Sequence, residues 1–411
     1  MPSPGARLPP DRHGEGRDGR TEGVGVTRVA LVSSSFHPHV GGVEGHVREV
    51  ARSLRAQGHE VVVWTVDRGE RLGTGLVDGI PVRWLPTPLP AGRPSALARF
   101  VREVGPAWRA WSAAWATDRP EVLHVHCFGP NGVYAVLLHH RRDVPLVVSG
   151  HGETLMDPEV FADSAQLRFG LRRALREASA VTACSPVALA DLGARFGLRG
   201  GSVVPNGIRL DPAVPVHAAY RGFEVGGGTV PSVVAVGRLE RVKGFDLLLE
   251  AFARVVGRLP EARLRIGGTG TQERALADAA AAAGIADAVT FLGRLSAEQV
   301  AAEFAAADVV VVPSRREAFG LVVLEAWRSG TPLVATDRDG PADLVADGRT
   351  GLLVNPEDPD ALAEAVVGLL TDAATAERLG REGQAAAAGY GWDAVTRAYA
   401  ECYRRATDGP G

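Results

Sequence analysis

The stretch SVVAVGRLERVKGFDLLLEAF (232–252) runs from an apolar segment through a charged loop into apolar residues at helical spacing. A short buried strand followed by a helix is the unit from which parallel α/β sheets are built. The unit recurs downstream, with apolar runs ARLRIGG (262–268), AVTFLGR (288–294), DVVVVPS (308–314) and TPLVAT (331–336). Upstream, RVALVSS (28–34), VVVWT (61–65), EVLHVH (121–126), PLVVSG (145–150), AVTACS (180–185) and SVVPNG (202–207) form a second series, with helical stretches between most of them. Prolines and a glycine cluster in IRLDPAVPVHAAYRGFEVGGGTVP (208–231) part the two series as a linker. The pattern predicts an α/β protein with two Rossmann-like, doubly wound parallel-sheet domains, 28–210 and 232–391, facing across a cleft. A final helical stretch, 392–408, carries Val395, Ala398, Tyr399 and Cys402 along one face and is expected to pack back on the first domain.

A chain of 411 residues with 45% hydrophobic and 23% charged residues reads as a multidomain globular protein. Of its 45 basic side chains, Lys243 is the only lysine. Arginine richness beside so little lysine is a compositional bias, so no nucleic-acid partner is expected. Residues 1–210 hold 25 arginines against 20 carboxylates, a mildly basic half. The Pro-, Gly- and charge-rich residues 1–27 read as a disordered tail, and no run reaches the roughly 20 apolar residues of a spanning helix. Three distant cysteines, Cys127, Cys184 and Cys402, suit a reducing cytoplasm rather than a disulfide framework.

In the second domain, polar residues gather just after strands, where open α/β sheets bind ligands. Arg238 and Lys243 follow the first strand, and GGTG (267–270) follows the second. Phe319-Gly320 opens a helix after the fourth, and a helix N-terminus with two nearby cations suits a diphosphate. Glu317 in the loop and Glu325 on the helix would lie roughly 10 Å apart, right for hydroxyls at two ends of one ligand and wide for a glycosidase pair.

Five stretches, FHPHVGGVEGHVREVARSLRAQGHEVVV (36–63), VVSGHGE (147–153), VPNGI (204–208), VGRLERVKGFDLLLEAF (236–252) and SRREAFGLVVLEAWRSGTPLVAT (314–336), occur in this order. Together they resemble the family 4 retaining glycosyltransferases over residues 28–408, and the family's fold is GT-B. The resemblance implies transfer of a hexose from a UDP- or GDP-linked donor to an acceptor hydroxyl on a glycan, lipid-linked saccharide or small molecule. It implies that Arg238 and Lys243 hold the diphosphate with the N–H groups of Leu321 and Val322, and that Glu325 binds the ribose. Glu317, with the N–H groups of Phe319 and Gly320, would bind the transferred sugar, and His151 would lie beside it. Gly41 and Gly42 would approach the phosphate or acceptor, Gly268 and Arg294 would border the nucleobase, and His37 and Asn206 would lie on the acceptor side. The nucleotide-sugar is a substrate, and neither a cofactor nor a metal is expected. Two departures from the family pattern stand out: NGIR, with Arg209 in place of an acid, and DGPAD (339–343) where Gly-Gly-x-x-Glu is usual.

Asp337-Arg338-Asp339 resembles a DxD metal motif but reads better as a polar loop. His124 and His126 are expected to alternate strand faces and so not to share a metal. Trp108, Trp111 and Trp115 fall at helical spacing, as do Arg168, Arg172, Arg173 and Arg176 on a second helix. Packing and solvation account for both sets, while a peripheral role at the inner membrane face is the sharper alternative. A nicotinamide dehydrogenase, a sugar-nucleotide epimerase and a non-catalytic sugar-nucleotide binder are the competing classes.

Overall fold

The structure, a computed structural model, describes residues 27–39, 41–90, 94–210, 223–225 and 228–408. The expected tail, Thr27 apart, lies outside these residues, as does most of the expected linker. The chain forms two compact units. One comprises the described residues to Gly207 together with those from Trp392 onward, and the other runs from Ile208 to Gly391.

The N-terminal unit holds β1 (Arg28–Ser33), β2 (Glu60–Val66), β3 (Thr74–Val77), β4 (Ile80–Leu85), β5 (Val122–His126), β6 (Leu146–Gly150), β7 (Ala180–Ala183) and β8 (Ser202–Val203). They lie in the order β3-β4-β2-β1-β5-β6-β7-β8, parallel except for β3 against β4. The sequence reading omitted β3 and β4, although Asp78-Gly79 between them is a two-residue hairpin turn with both residues at positive φ. All of β5 and β6 is buried, which their near-continuous apolar runs require of strands covered on both faces. The helix Gly42–Ala56 buries Val47, Val50, Ala51 and Leu54 in a core shared with Val395, Tyr399 and Tyr403 of the helix Trp392–Thr407. Burying each Val or Leu side chain contributes roughly 1.5–3 kcal/mol.

The C-terminal unit begins with the antiparallel pair β9 (Phe223–Val225) and β10 (Gly228–Val230). The stretch expected to be an irregular linker therefore contains an antiparallel strand pair. Next come β11 (Ser232–Val236), β12 (Arg263–Gly267), β13 (Val289–Gly293), β14 (Val309–Val312), β15 (Leu333–Thr336) and β16 (Leu352–Val354). Their order is β13-β12-β11-β14-β15-β16, every pair parallel. The chain starts mid-sheet at β11, winds out to β13 and returns beside β11 as β14. That reversal is a topological switch point, where the loops leaving adjacent strands diverge and open a crevice. The N-terminal sheet has its own switch point between β1 and β5.

Candidate active site

The switch point of the C-terminal sheet brings together residues more than seventy positions apart. After β11 the chain makes one 3-10 turn, Arg241–Lys243, before the helix Phe245–Arg258. Gly244 between them has φ +69, and a Cβ there would lie 2.0 Å from the Pro313 carbonyl oxygen, at the end of β14. Arg315 N–H donates to the Val242 carbonyl (2.9 Å), tying the two loops along their backbones. Lys243 Nζ then lies 2.5 Å from Glu317 Oε2, with 17% and 14% of the two side chains exposed. Arg238 is exposed at the start of the same loop. The sole lysine is thus one half of a largely buried ion pair at the strand ends.

The second loop ends at Phe319, which is buried, and Gly320, which precedes the helix Leu321–Ser329. Among the described residues no acceptor takes the N–H groups of Leu321 and Val322, as expected of a helix's first turn. Glu325 lies one turn further on, partly buried, and no group among the described residues donates to its carboxylate. Burial pushes that carboxyl up to about 7, with Arg328 pulling weakly the other way. Gly268 follows β12 and takes its N–H to the Gly293 carbonyl (2.7 Å). Arg294 is exposed at the end of β13, the edge strand, two strands from β11. Asp339 accepts from Arg316 (2.8 Å) and from the Glu317 N–H (3.2 Å), while Arg338 reaches Asn355 and Glu357. The Asp337-Arg338-Asp339 loop is therefore spent on internal pairing. Asp339 holds the Glu317 backbone, a role the sequence reading did not assign.

The remaining predicted residues lie in the N-terminal unit. Gly41 precedes the helix Gly42–Ala56 at the end of the β1 loop. His37 is exposed, and its carbonyl accepts from the Trp84 indole (2.9 Å). Asn206 is buried beside His46 and His151. His151 follows β6 and meets two histidines that the sequence reading left unused: His126 Nδ1 is 3.1 Å from His151 Nε2, and the His46 and His151 rings lie 4.6 Å apart. The expectation that His124 and His126 alternate faces is wrong. Residues i and i+2 of a strand share a face, and the two rings are 3.9 Å apart. His124 is held by Tyr403 and Ser149 at 2.7 Å each, and His46 by Tyr399 at 3.2 Å. Glu153 accepts from the N–H groups of His151 (2.7 Å) and Phe128 (2.8 Å) and so shapes the loop that carries His151.

Two groups of side chains, His46/His126/His151 and His139/His140/Glu177, bring their donor atoms within 4.8 Å of one another. Three neutral imidazoles are a donor set that zinc-like ions accept, but the His126–His151 hydrogen bond occupies two of the nitrogens. Burial lowers the pKa of all four clustered histidines, His46, His124, His126 and His151, and that of His151 falls to about 4. A depressed histidine is held neutral in the fold, so the unfolded chain binds more protons once the pH drops below 6.5. Stability present above that value is then lost as the pH falls toward 4. For His151 alone the loss is on the order of 3 kcal/mol. Calorimetric melting from pH 7.5 to 5 should show the N-terminal unit's transition falling, and His126→Gln should make the slope shallower.

The glycosyl transferases group 1 family profile matches residues 224–386, and that of Glycosyltransferase Family 4 matches residues 40–212. A D-inositol 3-phosphate glycosyltransferase from Kribbella flavida is 31% identical, the alignment covering 93% of this chain and 96% of that protein. One from Frankia alni is 33% identical over 89% and 95%. Among solved structures, sucrose-phosphate synthase from Thermosynechococcus elongatus superposes with a TM-score of 0.75 at 26% identity, covering 92% and 98% of the two chains. Anabaena HepE, in complex with UDP and glucose, gives 0.70 at 22% identity over 91% and 98%, a likeness of fold alone. With relatives above 30% identity along nearly its whole length and sheets of the GT-B type in both units, this chain belongs to the family 4 glycosyltransferases, glycosyl transferases group 1.

Proposed function

We propose that this glycosyltransferase moves a hexose from a UDP- or GDP-linked donor to an acceptor hydroxyl with retention of anomeric configuration and without a metal ion. The observation that carries the reading is the convergence of Lys243, Glu317 and the Leu321 helix start at the β11/β14 switch point, with Glu325 one turn along. Lys243, Arg238 and the free N–H groups supply positive charge where a diphosphate would sit, so no metal is needed to neutralise it. As the bond from the anomeric carbon to the diphosphate oxygen breaks, those groups stabilise the leaving anion. The acceptor oxygen attacks from the same face, and its proton passes to the departing phosphate oxygen. Glu325, a carboxylate without a donor among the described residues, takes the ribose hydroxyls, while Glu317 holds hydroxyls of the sugar. The acceptor is a glycan, a lipid-linked saccharide or a small molecule, and the names of the relatives place inositol phosphate first in an acceptor screen.

Titration calorimetry with UDP, GDP and ADP in the presence of EDTA tests the donor site. One nucleotide should bind. Because hydroxyl donors favour the ionised carboxylate, binding should lower the Glu325 pKa and tighten as pH rises through 7. Between pH 6 and 8 the gain should approach about tenfold, the change in the ionised fraction of a group titrating near 7. Glu325→Gln should weaken binding and remove the pH dependence. No detectable binding of any of the three would sink the assignment.

A further inference from the structure

The N-terminal unit contains a second concavity, which the donor chemistry does not use. The helices Pro94–Asp118, Pro130–Arg142 and Ala165–Glu177 surround an apolar cavity of about 420 Å³. Phe100, Val104, Trp108, Tyr134, Leu137 and Phe169 are among its apolar lining residues. That volume falls within the roughly 300–1,000 Å³ of pockets that bind small molecules. Its apolar character continues out to the surface. Of the eight large hydrophobic side chains exposed on the described chain, Leu97, Val101, Leu137 and Phe169 sit on these three helices, and Val101 and Phe169 are each 67% exposed. Apolar surface of this kind is costly in water and marks a place for a ligand or a partner.

The surrounding charge says which ligand. The three helices carry nine arginines against three carboxylates. Two of the arginines, Arg141 and Arg173, line the cavity itself. Arg141 lies over the Trp108 ring, 5.0 Å from its centroid, which leaves its guanidinium edge open to an anion. Arg173 pairs with Glu177 (3.1 Å), which also lies 2.8 Å from His140 Nε2, so the carboxylate at the end of this helix is already matched by a guanidinium. Arg172 and Arg176 are exposed beside them. The structure thus joins two features that the sequence presents separately, the tryptophan stripe and the arginine-rich helix. Trp111 turns into the core, its indole donating to the Pro86 carbonyl (3.0 Å), whereas Trp108 faces the cavity.

We propose that this cavity takes the hydrocarbon chain of an anionic lipid, with the phosphate headgroup held against Arg141 and Arg173. An apolar pocket alone would accept any hydrophobe. The arginine rim selects an amphiphile with a negative head, and the exposed Leu97, Val101, Leu137 and Phe169 let the chain enter from a lipid surface without crossing water. Each buried methylene adds about 0.8 kcal/mol, so affinity should climb with chain length until the cavity is full. The site involves none of the residues assigned to the donor, and its test does not depend on the transfer reading.

The test is titration calorimetry of the full chain with dodecyl phosphate below its micelle-forming concentration, beside inorganic phosphate and dodecyl maltoside. Dodecyl phosphate should bind saturably at one per chain, inorganic phosphate not at all, and dodecyl maltoside at least about tenfold more weakly. Leu137→Glu and Arg141→Glu replace exposed residues and should leave the melting temperature and nucleotide binding unchanged. Each should weaken dodecyl phosphate by at least about tenfold. The same two variants should lose co-sedimentation with vesicles of equal phosphatidylglycerol and phosphatidylcholine, which the parent should show. Absence of saturable dodecyl phosphate binding overturns the proposal, as does unchanged binding by Leu137→Glu. Equal affinity for dodecyl maltoside overturns the headgroup assignment to the arginine rim.

Discussion

Lys243→Ala should lower kcat/KM for sugar transfer by about 10²–10³, the usual loss when one preorganised charge is withdrawn from a leaving anion. The ion pair with Glu317 complicates this substitution in a way that can be separated. Removing the lysine leaves a carboxylate only 14% exposed without its cation, and breaking such a buried pair costs up to roughly 3–5 kcal/mol of stability. Adding Glu317→Gln should restore the melting temperature, because the stranded charge is gone, but it should not restore kcat. If activity returned with stability, Lys243 would be a structural cation and no more. Lys243→Arg should recover part of the nucleotide affinity and less of the rate. The planar fork carries the charge but cannot pivot between Glu317 and a departing oxygen as a point cation does.

Gly268→Ala should be among the most damaging single-methyl additions in the chain. Gly268 has φ +132, and a Cβ there would fall 1.8 Å from the Gly237 carbonyl oxygen. Both partners are backbone at the C-terminal ends of β12 and β11, so relief requires moving the strand end that leads to Arg238 and Lys243. The expected cost is at least about 3 kcal/mol, with nucleotide binding lost in whatever fraction remains folded. Gly284→Ala is the control. Its φ is +69 with nothing within 4 Å of an added Cβ, so only the left-handed backbone penalty of roughly 1–2 kcal/mol should appear. Denaturant midpoints for the two variants would decide it, and equal losses would show that backbone conformation, not the Gly237 contact, sets the cost.

The residues proposed for the donor site are carried on local patterns. A buried strand, a turn and an amphipathic helix occupy some twenty consecutive residues, and a helix N-terminus attracts anions wherever it lies. Arg238, Lys243, Gly320 and Glu325 could be named on that basis. The histidine cluster was not legible in the same way. Tyr399 and Tyr403 reach His46 and His124 from 353 and 279 residues away, through a helix that rejoins the N-terminal unit after the whole C-terminal unit has intervened. One part of it could have been read, since His124 and His126 must share a strand face. Asp78-Gly79 likewise announces the β3–β4 hairpin.

From sequence alone follow two series of buried parallel strands, the break between them, the family, and the residue types at the strand ends of the donor half. These are local or compositional properties, set by hydrophobic period and turn chemistry within a few residues. Strand order belonged to the tertiary structure. Only because β14 returns beside β11, past β12 and β13, does Lys243 stand 2.5 Å from Glu317. Only because three separate helices pack side by side do Trp108, Phe169, Arg141 and Arg173 border one cavity. Contacts of that kind depend on which elements become neighbours, and adjacency is decided by the packing of whole faces, which no short stretch of chain contains.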